Sequence, residues 1–402
     1  VKKVMMAMVG LMTAFGFQYA SAQEGAHPQK EWNFLIYLNG VNSLDQFGAI
    51  NINQMEAVGS NANLNILVQW GTQAKTSVDR LLVQKDTDPQ KVTSPVVQTL
   101  PSVDMGNVKS LVDFAEWAQA NYPAKHTFIV VWDHGNGWHF ANIKGNFVAG
   151  NPFHANDISW DDRTGSYITT EQLGQAMVDI ATNYGRKIDI YGSDACLMGM
   201  AEVAGEMKGA VQYFVGSQEV EPGMGWPYTD FLTHWSANMA MGAGDVAKTL
   251  SSDYAAAYSG GTYGKDNATM SAYDMSKIDD FNASIKQLSA DLLKLPPAQL
   301  ANFKATIASM KSFTNADYKD LVDMLDKGGL DNVAKFSSVG VRQATNNFVI
   351  ANNENLDQMT HGLSIWLPTD QSDADTYLQR YHGLKFAQDS GWDQVVAALF
   401  KK

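Results

Sequence analysis

Short apolar runs rich in Val, Ile and aromatic residues recur along this chain, separated by amphipathic stretches with helical spacing. Unbroken apolar runs suit strands buried on both faces, and strands joined through helices run parallel. The pattern therefore predicts an α/β sandwich around a mostly parallel central sheet. Segments 34–38 and 64–69 read as the first buried strands, with Ser43 placed to cap a helix between them. Segments 127–132 and 188–191 follow as central strands, and 213–217 supplies another. From Asn107 to Ala120, the residues Leu111, Phe114, Ala115 and Ala118 share one helical face, which should cover the sheet. The same spacing in Leu197, Met200, Ala201, Ala204 and Met207 marks a helix directly after the 188–191 strand. Cys196 is thus expected at a helix start.

The order of regions follows from composition. Lys2 and Lys3 precede an apolar run over 4–17 that ends in Ala20-Ser21-Ala22, the pattern of a removable secretory leader over residues 1–22. The run is too short for a lasting membrane anchor, so the mature chain is expected to start near Gln23, free of the membrane, and to be secreted or periplasmic. A catalytic domain is expected over 23–265. A loop at Ser259-Gly-Gly-Thr-Tyr-Gly-Lys265 then leads into a largely helical C-terminal extension over 266–402, which packs on it. Within the extension, 363–367 is strand-like and could return to the sheet. Hydrophobic residues make up 45% and charged ones 18%, a balance that folds rather than solvates. A formal charge of −13 argues against nucleic acid as a partner. No feature of the sequence fixes an oligomeric state.

Only one cysteine is present, so no internal disulfide can form and the fold must rest on its core. A lone thiol exported to an oxidising compartment is either buried and inert or kept for chemistry. Its setting favours chemistry. Gly192-Ser193-Asp194-Ala195-Cys196 follows one central strand, and Trp132-Asp133-His134-Gly135-Asn136-Gly137-Trp138 follows another. Catalytic groups of open α/β sheets collect at these carboxyl ends. A thiolate at Cys196 would attack a peptide carbonyl to give a thioester, His134 would protonate the leaving amine, and the backbone N–H groups of Gly135 and Cys196 would hold the oxyanion.

These two motifs, with Asp104-Met-Gly106, Asp194-Ala-Cys-Leu-Met198, Pro222-Gly-Met-Gly-Trp-Pro-Tyr228, Gly362-Leu-Ser-Ile-Trp366 and Gly391-Trp-Asp393, resemble the clostripain family along the whole mature chain. The resemblance implies a caspase-like αβα sandwich, a thiol-dependent endopeptidase, and protein or peptide substrates with Arg or Lys at the cleavage point. It assigns the basic side chain to Asp194, two residues before the nucleophile, and a carboxylate suits the guanidinium fork well. The same carboxylate could instead cap the helix expected at Cys196. Trp226 is a candidate wall of the substrate cleft, and Lys144 and Arg163 are candidate self-cleavage points. His139 is read as structural or pocket-lining, because no second ligand with metal-site spacing accompanies it. No cofactor is required and no metal site is assigned; Asp157, Asp161 and Asp162 form an acidic loop where calcium is the ion to consider. Two rivals share the fold: a transpeptidase-like relative, in which an amine captures the thioester, and a non-catalytic binding protein.

Overall fold

The computed structural model describes residues 27–139, 157–355 and 359–401. The expected leader and Lys144 lie outside them. Strand Lys30–Gly40 shows how the sequence builds the sheet: Leu35 and Tyr37 enter one core, while Phe34, Ile36 and Leu38 enter the other. Alternation with a period of two puts successive side chains on opposite faces, and here both faces are covered.

The sheet has nine strands among the described residues, in the order Val349–Glu354, Thr269–Asp274, Val211–Gly216, Ile188–Asp194, Ala124–Trp132, Lys30–Gly40, Leu64–Thr72, Val78–Leu82 and Val96–Leu100. The five strands from Val211–Gly216 to Leu64–Thr72 pair in parallel, and antiparallel strands finish both edges. Helices Val108–Asn121 and Thr170–Tyr184 cover one face, the second opened by a Thr169/Gln172 capping box and closed by Gly185 in the left-handed region. Asp45–Glu56, Tyr228–Ala237 and Ala243–Tyr258 cover the other. No helix of the described residues is long and apolar enough to cross a membrane.

The C-terminal third enters the sheet itself, through Thr269–Asp274 and Val349–Glu354. Its helices Ile278–Leu292, Lys335–Phe348 and Lys385–Ser390 add to the first core. The stretch at 363–367 contains strand Ser364–Trp366, which pairs with Tyr318–Asp320 rather than with the central sheet and bridges Ser364 to Met200. At 259–265 the chain forms a small hairpin between Ser259–Gly261 and Gly264–Lys265. Ser43 does not cap the first helix: Asp45–Glu56 has Leu44 at its N-cap with no side-chain bond, and the hydroxyl is used elsewhere.

Candidate active site

Register brings the site together. Leu38 pairs with Trp132, and Trp132 pairs with Asp194, so Ala124–Trp132 and Ile188–Asp194 end level with one another, two residues short of the end of Lys30–Gly40. His134 and Cys196 each lie two residues beyond such a pair, on strands about 4.8 Å apart. The Asp133 amide donates to the Asp194 carbonyl at 3.2 Å and carries the alignment past the strand ends. A Cβ built on Gly135 would stand 2.5 Å from the Cys196 carbonyl oxygen and 3.2 Å from its nitrogen, so only glycine lets the two loops approach this closely. Both candidate residues line one open crevice of about 130 Å³, with Leu44, Asp133, Asp194 and Glu221.

His134 and Cys196 each bond to other groups in this structure. The Nε2 atom of His134 is 2.9 Å from the Ser43 hydroxyl. Cys196 Sγ accepts from the Glu221 amide at 3.3 Å. Among the described residues no hydrogen bond joins ring to sulfur. Desolvation, reinforced by the Glu221 carboxyl, pushes the thiol up to about 12. Desolvation also lowers His134 to about 4, against the pull of Asp162. Both groups are therefore neutral near pH 7, which is the resting form of a thiol and imidazole pair. Asp133 anchors the His134 loop, its Oδ1 accepting from the His134 amide and the Asn42 side chain at 2.6 Å each.

Cys196 is not at a helix start. The expected helix begins only at Ala201 and runs to Glu206, because Leu197 adopts φ 64° and the intervening amides bond elsewhere. Leu197 donates to Glu219 and Gly199 to Ser217, while Met200 bridges Ser364. A left-handed Leu costs roughly 1–2 kcal/mol, held here by these contacts. No helix dipole supports a thiolate at Cys196, and Asp194 has no helix to cap.

Asp194 is buried in the crevice wall instead. It accepts from the Tyr228 hydroxyl at 2.7 Å and the Trp226 amide at 3.4 Å, and it shares a hydrogen bond with Glu221. Desolvation raises Asp194 to about 7. Glu221 rises well above the carboxylate range, through desolvation first and then the neighbouring Asp194. Two carboxyls side by side in a dry pocket hold a proton between them. Glu221 and Ser43 were not foreseen from the sequence, since no motif spacing points to either.

The remaining candidates fall outside this constellation. Trp226 contributes its backbone, while its indole is wholly buried against Phe128 and Tyr228 and beneath Gly192, so it does not line the crevice. A large aromatic gains more from this core than from an open wall. Arg163 sits in the turn between Ile158–Asp161 and Ser166–Ile168, with its guanidinium on the Lys75 carbonyl at 2.6 Å and Asp161 at 3.5 Å. The three acidic residues considered for calcium do not converge. Asp157 is held by Arg380 and the Thr170 amide, Asp161 by the Met105 and Arg163 amides, and Asp162 by Trp160 and Gln73. No group of three or more His, Cys, Asp or Glu among the described residues could hold a metal ion. His139 is buried against Trp138, Tyr318 and Tyr377.

The sequence matches the model of the clostripain family over residues 36–398. The fold is similar to that of a secreted C11 cysteine protease from Bacteroides thetaiotaomicron in complex with an irreversible peptide inhibitor, at 21% identity and TM-score 0.66, covering 90% of this chain and 99% of that one. It is equally similar to an inactive zymogen C11 protease from Parabacteroides distasonis, at 19% identity and TM-score 0.66, with the same coverage. Another structure, of a secreted C11 cysteine protease from Bacteroides thetaiotaomicron, "iotapain", matches at 15% identity and TM-score 0.65, covering 92% of this chain and all of that one. No curated protein matches the sequence. The likeness to these structures is one of fold, the αβα sandwich expected from the alternation of strands and helices.

Proposed function

This chain belongs to the clostripain family of cysteine peptidases, and on that premise we propose that it is a secreted endopeptidase cleaving peptide bonds after Arg or Lys. The observation that carries the reading is the contact between the two loops: Gly135 lies against the backbone of Cys196, at the ends of strands held in register. In the working state His134 takes the Cys196 proton, the thiolate attacks the scissile carbonyl, and the oxyanion lies between the N–H groups of Gly135 and Cys196. The imidazolium returns the proton to the leaving amine, and water then hydrolyses the thioester. Thiol and imidazole supply all of this chemistry, so no cofactor is required.

The buried pair Asp194 and Glu221 supports a basic pocket. A guanidinium or ammonium entering it displaces the shared proton and provides the missing counter-charge. Export rests on the Lys2, Lys3 and Ala20-Ser21-Ala22 leader, and two of the similar structures are described as secreted proteases. The neutral dyad, with His134 bonded to Ser43 and Cys196 to the Glu221 amide, supports reading the intact chain as a precursor, activated by self-cleavage. Arg163 is tied into its turn, which favours Lys144 as the cleavage point.

The test is digestion of a peptide library by wild type and Cys196→Ala, with both proteins run on a denaturing gel. Cleavage after Arg and Lys, and nicking of the chain, should occur in wild type alone. Cleavage that survives Cys196→Ala, or an active wild type that stays one intact chain, would overturn the nucleophile or the processing step respectively. Adding an amine nucleophile separates hydrolysis from transpeptidation by its products.

A further inference from the structure

We propose that Tyr318 and Arg380, both from the C-terminal extension, are positioning residues for the oxyanion-binding backbone at Gly135. The inference rests on the peptidase reading above and adds a catalytic purpose for the extension. An N–H group stabilises an oxyanion only if its peptide plane is held in one orientation, and a plane is held when its neighbours are bonded.

Both peptide planes after Gly135 are captured. The Asn136 amide, in the plane directly following Gly135, donates to the Asp157 carbonyl at 2.8 Å, and Gly135 itself bridges Ile158. The Asn136 carbonyl, in the next plane, accepts from the Tyr318 hydroxyl at 2.5 Å. The same hydroxyl reaches the His139 carbonyl at 2.9 Å and accepts the His139 amide at 3.2 Å, so one phenol spans the loop from 136 to 139.

Each partner is anchored in turn. Tyr318 is wholly buried and pairs with Trp366 across a short ladder whose other strand end, Ser364, bridges Met200, four residues past Cys196. The phenol therefore ties the His134 loop to the segment that carries the nucleophile. Gly137, at φ 64°, leaves no clearance: a Cβ there would stand 2.8 Å from the Tyr318 hydroxyl and 2.4 Å from the Met200 sulfur. Arg380 holds the other side. Its guanidinium forks onto Asp157 at 2.5 and 3.1 Å and Glu171 at 2.5 and 2.9 Å, fixing the residue whose carbonyl receives the Asn136 amide. It also stacks over the Trp138 ring at 5.6 Å. Without these two residues the loop keeps its sequence but loses the bonds that aim Gly135.

The experiment uses Tyr318→Phe, which removes one hydroxyl, and Arg380→Lys, which keeps the charge beside buried Asp157 and removes the fork. Four quantities are measured: kcat and KM on an Arg peptide amide, the inhibition constant of an Arg peptide aldehyde, and the rate of Cys196 alkylation by iodoacetamide. The aldehyde forms a tetrahedral adduct that needs the oxyanion site, whereas alkylation needs only the thiol and its base. A loss of about 10- to 100-fold in kcat is expected for each variant, as for an oxyanion donor displaced rather than deleted. Aldehyde affinity should fall by the same factor, with KM and alkylation within about two-fold, since neither uses the oxyanion site. An active wild type alongside variants of unchanged kcat overturns the inference, as does an equal loss in the alkylation rate, which reports a displaced dyad. A wild type inactive on every Arg and Lys peptide overturns the peptidase reading instead.

Discussion

Asp194→Asn keeps the shape of the pocket wall and removes its capacity for charge. The amide oxygen can still accept from the Tyr228 hydroxyl, which lies 2.7 Å from the carboxylate, so the fold should tolerate the change. The loss falls on the substrate cation, which would enter a dry site without its nearest counter-charge. Truncating one member of a buried, hydrogen-bonded charge pair costs about 2–5 kcal/mol, or about 30- to 4000-fold. Glu221 stays beside the vacated charge and can still ionise against a bound guanidinium. The loss in kcat/KM for an Arg substrate therefore belongs at the low end, about 30- to 100-fold. The assay compares matched peptides with Arg or its uncharged isostere citrulline at the cleavage point. Wild type should discriminate strongly between them, and the variant weakly. If the Arg-to-citrulline ratio in Asp194→Asn stays within about three-fold of wild type, the pocket lies elsewhere and the reasoning fails.

Four further expectations follow from the same geometry. Desolvation holds Asp194 at about 7, so below that pH it is protonated and neutral. KM for an Arg substrate should accordingly fall as pH rises through about 7, with the citrulline peptide flat. Unfolded, the same acid titrates near about 3.9, so between there and about 7 the folded state holds the extra proton, and raising pH across that window should lower the melting temperature of the free protein. Ser43→Ala should raise the rate of Cys196 alkylation by iodoacetamide in the intact chain about ten-fold, by freeing the His134 ring to approach the sulfur, with Ser43→Thr restoring the slow rate. Gly135→Ala should lower kcat more than about 100-fold, because its Cβ would press on the Cys196 carbonyl and part the two loops; a crystal structure of the variant would show the displacement.

What the sequence made legible is what local chemistry decides. Apolar runs became strands where expected, since a run buried on both faces has few other homes, and the glycine-rich motifs after two of them became the facing loops of the site. The helix at Cys196 failed because apolar spacing records burial, which Leu197, Met200 and Ala201 do achieve, but not the left-handed turn that directs their amides to strand neighbours. Ser43 looks like a cap by position, yet its hydroxyl finds a ring 91 residues away. Glu221 meets Asp194, and Tyr318 meets Asn136, only through tertiary packing. No period or spacing encodes such meetings, because they join separate elements rather than one.

The single cysteine links these observations to the compartment. A thiolate is the species that both attacks carbonyls and reacts with oxidants, while a neutral thiol does neither readily. In the intact chain burial and the Glu221 carboxyl keep Cys196 protonated, and His134, bonded to Ser43, does not offset them. On the proposed precursor reading, the arrangement that withholds catalysis would also protect the sulfur, which matters for a chain with no second cysteine to form a reversible disulfide within itself. On that reading, activation has to bring a protonated imidazole to the sulfur and open the site to substrate, and either change lowers the thiol pKa. Reactivity toward oxidants and toward substrate should consequently appear together, and an activated enzyme should lose activity to dilute peroxide far faster than the intact chain loses its free thiol.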